Sequence, residues 1–198
     1  MIKKEIVYFE KPGKDNTDDC LNIVKERLRK GDIKHVVIAS GRGETALKLH
    51  NKIDELDVDI IDVTYHAAMK EEKKEALEKN KPELERCSIK LVSSTHALSA
   101  GERSVAGRWQ GTYPLLLIAD TYRTFGEGMK VCVEVSLMAA DTGNVPAGEN
   151  ILVIGGTSKG CDTAVVLKSA YSAELLQKLA INEILCMPFT EGIEHKAR

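Results

Sequence analysis

Aromatic residues are scarce in this sequence and make up 5% of its 198 positions. Positive charge is not in excess either, since 28 lysines and arginines are balanced by 30 aspartates and glutamates, for a formal net charge of −2. Binding to nucleic-acid phosphates requires a basic surface, and binding to single strands relies on aromatic side chains that stack on the bases. These absences argue against nucleic acid as the main partner.

Long apolar runs and paired cysteines are missing as well. No stretch approaches the roughly 20 apolar residues of a membrane-spanning helix, and no such run follows the charged start Met1–Glu5. The five cysteines are an odd number and contain no C-x-x-C pair, which argues against a disulfide framework and against a zinc site. We therefore expect a cytoplasmic protein with reduced thiols, no membrane partner and no metal.

The composition is ordinary for a globular protein, with 43% hydrophobic and 29% charged residues. The length suits a single domain over 1–198, with a frayed polar tail at 191–198. Short apolar runs alternate with helical patterns, which predicts an α/β fold with a mostly parallel sheet covered on both faces. The predicted strands are 6–10, 36–40, 59–64, 89–94, 151–154 and 183–188.

The stretch Ile151–Leu167 carries the clearest functional signal. It reads I-L-V-I-G-G-T-S-K-G-C-D-T-A-V-V-L, in which a β-branched strand runs into a glycine loop. Asp162 and Thr163 are good helix caps, so we predict a helix that continues through Leu167. Such a loop would present unpaired N–H groups and the partial positive charge of a helix start to an anion.

A second stretch repeats this design. His35–Leu49 reads H-V-V-I-A-S-G-R-G-E-T-A-L-K-L, and its segment E-T-A-L aligns with D-T-A-V after the other loop. One glycine loop of this type often reflects only tight packing between a strand and a helix. A matched pair within one small domain favours an anion site.

Ligands of open α/β sheets bind outside the carboxyl ends of the strands, at the point where the strand order reverses. By this rule, the two loops and three further polar segments lie together along the carboxyl edge of the sheet, which we call the rim. The predicted contacts with a bound cofactor are Asn16, Thr17, Ser40, Gly41, Arg42, Gly43, Glu44, Thr45, Thr64, His66, Thr95, His96, Gly156, Thr157, Ser158, Gly160, Asp162 and Thr163.

Two nucleotide motifs are matched only in part. Gly41, Gly43 and Ala46 fit the dinucleotide fingerprint G-x-G-x-x-G/A, and Asp62 lies 21 residues after Gly41. However, Val63 and Thr64 follow Asp62, which favours a position for this acid inside its strand and not at the tip. Lys159 is followed by glycine, which departs from the Walker pattern and argues against ATP hydrolysis.

Acid–base chemistry has three candidate residues, and none is assigned a catalytic role. His66 and His96 share the predicted rim and are either ligand contacts or hydrogen-bonded structural histidines. Glu134 lies in a helix that is apolar nearly all round and needs a partner if it is buried, which favours a network residue over a functional acid. That helix, predicted over 129–140, fits either the core or a contact in a homo-oligomer.

The motifs together resemble the C-terminal α/β domain of pyruvate kinase, whose phosphate loop reads A-S-x-x-G-x-T-A after a strand. The whole chain is similar to stand-alone prokaryotic proteins with this fold. The resemblance reaches from Val7 to the final I-L-C-M-P. It rests on V-Y-F-E-K-P-G-K-D-N-T, V-T-Y-H, T-H-A-L-S-A-G-E-R-S, G-M-K-V-C-V-E-V-S-L-M-A-A-D-T-G and the second glycine loop.

The resemblance implies a three-layer α/β/α fold with sheet order 3-2-1-4-5 counted from Val36, an antiparallel last strand and an added N-terminal β/α unit. The stand-alone relatives are associated with flavin mononucleotide (FMN). Carried over, the first loop would hold the phosphate and the second would complete the pocket. The (β/α)₈ barrel that performs pyruvate kinase chemistry needs about 250 residues, so that activity is not expected.

Three functions follow as expectations. The first is a module that binds a phosphorylated small molecule, with FMN as the expected ligand, in a crevice between the two loops. The second is a flavin- or NAD(P)-dependent oxidoreductase that uses the same crevice, with a histidine as proton donor. The third is a regulatory subunit that senses a sugar phosphate.

Overall fold

A computed structural model of the chain describes residues 1–189, so the predicted frayed tail lies outside the described residues. The strands are β1 Val7–Phe9, β2 His35–Ala39, β3 Asp59–Val63, β4 Lys90–Val92, β5 Asn150–Gly155, β6 Thr163–Lys168 and β7 Ala180–Pro188. The helices are α1 Thr17–Leu28, α2 Glu44–Ile53, α3 Glu71–Arg86, α4 Ala100–Ala106, α5 Pro114–Arg123, α6 Glu127–Asp141 and α7 Leu175–Lys178.

All seven strands form one sheet in the order β1-β7-β6-β5-β2-β3-β4. Neighbouring strands are parallel except for β6, which runs antiparallel to both β5 and β7. Counted from β2, the predicted order 3-2-1-4-5 is confirmed, with an antiparallel strand, β6, in the fifth position. The predicted strand 183–188, expected in that position, lies within β7, which is the next strand outward and runs parallel to β1. The strand order reverses between β2 and β5, which lie side by side with Val37 opposite Val153.

The helix predicted from Asp162 through Leu167 is wrong, because this segment forms strand β6. Short apolar runs do not distinguish a buried strand from a buried helix. Here Ser158 and Gly160 adopt positive φ angles of 70° and 67° and turn the chain back beside β5. Strand β6 is then paired on both sides, which suits its β-branched residues Val165 and Val166. The second glycine loop is therefore the connection of an antiparallel hairpin.

Helices cover both faces of the sheet. Helices α1, α2 and α3 bury residues such as Leu21, Leu49 and Leu84 on one face. Helix α6 packs on the other face against β5, β2 and β6, and α5 and α7 cover its outer side. This double cover explains why α6 is apolar nearly all round, and it assigns the helix to the core.

Among residues 1–189, no helix combines the length and the apolar character required to cross a bilayer.

Candidate functional site

A cleft of about 270 Å³ opens at the carboxyl edge of the sheet, where β2 and β5 meet. Both glycine loops and one face of α6 line this cleft. Of the predicted contacts, those that line it are Ser40, Gly41, Arg42, Glu44, Thr45, Thr64, His96, Gly156, Ser158 and Gly160. The predicted residues that do not line it are Asn16, Thr17, Gly43, His66, Thr95, Thr157, Asp162 and Thr163.

The first loop, residues 40–45, connects β2 to the N-terminus of α2. Gly43 has a left-handed φ of 82°, and a Cβ there would lie 2.7 Å from Leu84, so glycine is required for the turn. The hydroxyl of Ser40 accepts the N–H groups of Thr45 (3.1 Å) and Ala46 (3.4 Å) and so satisfies part of the helix start. Within residues 1–189, the N–H groups of Gly41, Arg42 and Glu44 donate to no acceptor.

Two neighbouring residues fix the backbone of the first loop from outside. The hydroxyl of Thr64 donates to the carbonyl of Gly41 at 2.9 Å, and the amide of Asn80 donates to the carbonyl of Arg42 at 2.8 Å. The ring of Tyr65 packs so closely on Gly41 that a Cβ there would lie 2.1 Å from it. The loop is therefore held rigidly with its N–H groups oriented before any ligand arrives.

The second loop, residues 156–162, is stabilised by a carboxylate of its own. Asp162 is fully buried, and its oxygens accept the N–H groups of Gly13 (2.8 Å) and Thr157 (3.2 Å) and the hydroxyl of Thr163 (2.8 Å). The hydroxyl of Thr17 accepts the N–H of Cys161 at 3.2 Å. These residues build the loop and do not face the cleft.

The two loops are therefore not equivalent in structure, contrary to the matched design that the sequence predicted. Only the first loop leads into a helix and has the partial positive charge of a helix start. The second loop contributes the side chains of Ser158 and Lys159 to the cleft, where Lys159 joins Arg42 as a second cation.

Helix α6 forms a wall of mixed character that the sequence reasoning did not assign to the site. Val131, Val135 and Met138 give this wall an apolar surface, and Glu127 and Glu134 add carboxylates. Tyr65 also lines the cleft and was missed, although its position directly after β3 and Thr64 was a signal. The cleft thus combines a polar side formed by the loops with an apolar side.

A largely buried charged network borders the cleft. Glu134 pairs with Lys130 and is 3.3 Å from His96 Nδ1, which confirms the network interpretation of this acid. Burial raises the pKa of Glu134, but the hydrogen bond with His96 and the charge of Lys130 outweigh that effect and lower the pKa to about 2. Glu134 therefore remains ionised at every physiological pH.

The other rim histidine lies outside the cleft. His66 is exposed, its Nδ1 accepts the N–H of Ala68 at 3.2 Å, and its ring meets that of His96 edge-to-face at 5.5 Å. Thr95 is exposed as well, and Asn16 bonds to the carbonyls of Lys11 and Gly13. Over the described part of the chain, no three histidine, cysteine or acidic side chains group as a metal site would require.

Asp62 is the last residue but one of β3 and is fully buried, inside the strand as the apolar residue after it suggested. Neither carboxylate oxygen has a hydrogen-bond partner in residues 1–189. Desolvation by burial raises the pKa of Asp62 well above its ordinary value, and the backbone of Ser40 opposes this only partly because its N–H donates to Val63. The acid of the dinucleotide fingerprint is thus not at the strand tip.

One comparison with known families bears on this site. Residues 18–167 match the family model described as pyruvate kinase, alpha/beta domain. The match covers well over half of the chain and includes β2 to β5, β6 except its last residue, both glycine loops and α6. Strands β1 and β7 lie outside the matched range.

Proposed function

Because the chain belongs to the family of the pyruvate kinase α/β domain, we propose that it binds a small phosphorylated ligand in this cleft and that the ligand is FMN. The observation that carries the proposal is the rigid first loop, with three unsatisfied N–H groups at the start of α2 and two cations beside it. Backbone N–H groups at a helix N-terminus bind phosphate, and Arg42 and Lys159 would add charge.

The residues of the cleft also suit the rest of FMN. The apolar face of Val131, Val135 and Met138, together with the ring of Tyr65, offers a surface for a planar ring system. The volume of about 270 Å³ lies just below the roughly 300–1,000 Å³ of typical ligand sites, so part of the ligand would extend from the cleft. When bound, FMN would supply electron- and hydride-transfer chemistry.

The proposal does not include phosphoryl transfer from phosphoenolpyruvate. That chemistry belongs to a (β/α)₈ barrel, and none is present among residues 1–189.

The test compares FMN with riboflavin, which has the same ring and no phosphate. Calorimetric titration of the full chain should show that FMN binds at least tenfold more tightly. Arg42→Gln and Lys159→Gln should each weaken FMN binding about tenfold, because a hydrogen bond with a charged group contributes ~1.5–3 kcal/mol. Lys168→Gln is a matched control, since Lys168 lies opposite Asn150 at the other edge of the sheet.

Three results would contradict the proposal. They are the absence of FMN binding, equal affinity for riboflavin, and equal losses in the control variant. A purified protein that is yellow and absorbs near 450 nm would already favour a flavin.

A flavin-dependent oxidoreductase is the second candidate, and the contact between His96 and Glu134 at the cleft favours it. Anaerobic reduction of the bound flavin by NADH would support this activity, because a static binder has no need of hydride access. The small volume of the cleft favours the third candidate, a sensor of sugar phosphates. Displacement of FMN by a sugar bisphosphate, together with co-purification of a partner protein, would support that function.

A further inference from the structure

Helix α6 contains two buried charges that stability alone does not explain. Lys130 and Glu134 are 4% and 3% exposed, and they lie four residues apart on one face of an otherwise largely apolar helix. A buried ion pair gains little net stability, since the cost of removing both charges from water offsets their attraction. Their place beside the cleft suggests a role in the site.

Glu134 fixes the orientation and the tautomer of His96. Its carboxylate accepts the backbone N–H of Leu98 at 3.1 Å and lies 3.3 Å from His96 Nδ1. An ionised carboxylate can only accept, so the hydrogen bond places the proton of the imidazole on Nδ1. Because His96 also lines the cleft, Nε2 is the nitrogen that remains for a ligand.

We propose that His96 and Glu134 form a proton-transfer pair directed at the ligand of this cleft. When an anionic ligand enters, the lone pair of His96 Nε2 takes up a proton from solvent and holds it against the ligand. The proton then passes to a ligand atom that gains negative charge, or it returns to solvent. His96 is the proton-transfer residue and Glu134 is the positioning residue.

The physical cause is the charge that the ligand brings. A bound phosphate would add negative charge to the cleft that His96 and Glu134 both line, and nearby opposite charges favour the protonated imidazole. This inference rests on the proposed function, because it requires a ligand in the same cleft. The other charged or titratable groups around the site are Lys130 and Glu127 on α6, Arg42 and Glu44 on the first loop, Lys159 on the second, and Tyr65 and His66 after β3.

The experiment measures protons taken up as FMN binds to the full chain. Calorimetric titrations at pH 7.5 in two buffers of different ionisation enthalpy give this number directly. The phosphate of FMN contributes little at that pH, since the second pKa of a phosphate monoester is near 6. The wild-type protein should take up a clear fraction of a proton per FMN, and His96→Gln should lose nearly all of it.

Further variants separate the roles of the residues. His50→Gln is the matched control, because His50 lies in the last turn of α2 and should leave the uptake unchanged. Glu134→Gln should still bind FMN but lose most of the proton uptake, as expected for a positioning residue. If that variant does not fold because Lys130 is left unpaired, the double variant Lys130→Met, Glu134→Gln removes both charges and should behave in the same way.

The possible failures are distinguishable. If the wild-type protein does not bind FMN, both this inference and the assignment of FMN are overturned. If FMN binds with the same heat in both buffers, or if His96→Gln takes up as many protons as the wild type, only the proton-transfer pair is overturned. Loss of uptake in His66→Gln and not in His96→Gln would overturn it as well.

Discussion

At the scale of single residues, Asp62 is a buried carboxyl group whose oxygens accept no hydrogen bond from residues 1–189. Burial raises its pKa, so the folded protein holds Asp62 protonated over a range in which the unfolded chain, with a pKa of about 3.9, has lost that proton. The stability that this group contributes is therefore fully present below about pH 4. It is lost as the pH rises toward the pKa of the folded state.

This loss of stability with rising pH leads to a prediction for Asp62→Asn, which removes the ionisation and keeps the shape of the side chain. The contribution of Asp62 to the wild-type free energy of unfolding should fall by up to ~1.4 kcal/mol per pH unit above pH 4 until the folded pKa is reached. The variant should lack this component and be more stable than the wild type at pH 8. Urea unfolding at pH 5 and pH 8 measures both slopes, and parallel pH profiles for the two proteins would contradict the expected ionisation.

At the scale of elements, the hairpin β5–β6 depends on one acid. Asp162 is fully buried and accepts hydrogen bonds from Gly13, Thr157 and Thr163, so its removal would leave three donors without this acceptor. Asp162→Ala should lower the free energy of unfolding by about 3 kcal/mol. Denaturant unfolding measures this loss.

Asp141→Ala is the matched control for that prediction. Asp141 also accepts a backbone N–H, from Ser172 at 2.9 Å, but it is exposed, so its removal should cost less than about 1 kcal/mol. Equal losses in the two variants would contradict the structural role of Asp162.

The same hairpin shows what local sequence can and cannot predict. The alternation of apolar runs and turn residues located six strands and the central helix, and the glycine pattern located the first loop. The segment after Asp162 was assigned to a helix because Asp and Thr are favoured helix caps and five residues carry too little periodicity to decide. Pairing with β7, which comes later in the chain, decides the outcome, and local sequence does not encode that pairing.

The site residues show the same contrast between roles that depend on contiguous sequence and roles that depend on distant partners. Residues on the first loop were predictable because strand, loop and helix start are contiguous. Asp162 and Thr17 were recognised as polar and near the rim, but their partners lie up to 149 residues away in sequence, so their structural role was hidden. The apolar wall from Val131, Val135 and Met138 was missed because a helix buried all round does not show which face borders a cleft.

At the scale of the whole molecule, the cleft exists because segments distant in sequence are adjacent in the sheet. Strands β2 and β5 are neighbours at the point where the strand order reverses, and each delivers a loop to the same edge. The N-terminal unit before residue 18 lies outside the family match, yet Gly13 and Thr17 bond to the second loop and support it. The added unit and the matched domain therefore build one site together.

Hydrogen exchange on the full chain tests this arrangement as a unit. If FMN binds as proposed, saturating FMN should slow amide exchange in both residues 40–46 and residues 156–161, because one ligand in the cleft would contact both loops and restrict their local opening. Exchange at β4, on the far edge of the sheet, and at α7 should stay within about 20% of the ligand-free rate, since neither element borders the cleft. Protection confined to one loop would show that the ligand does not bridge them, and uniform slowing of all segments would indicate global stabilisation without a localised site.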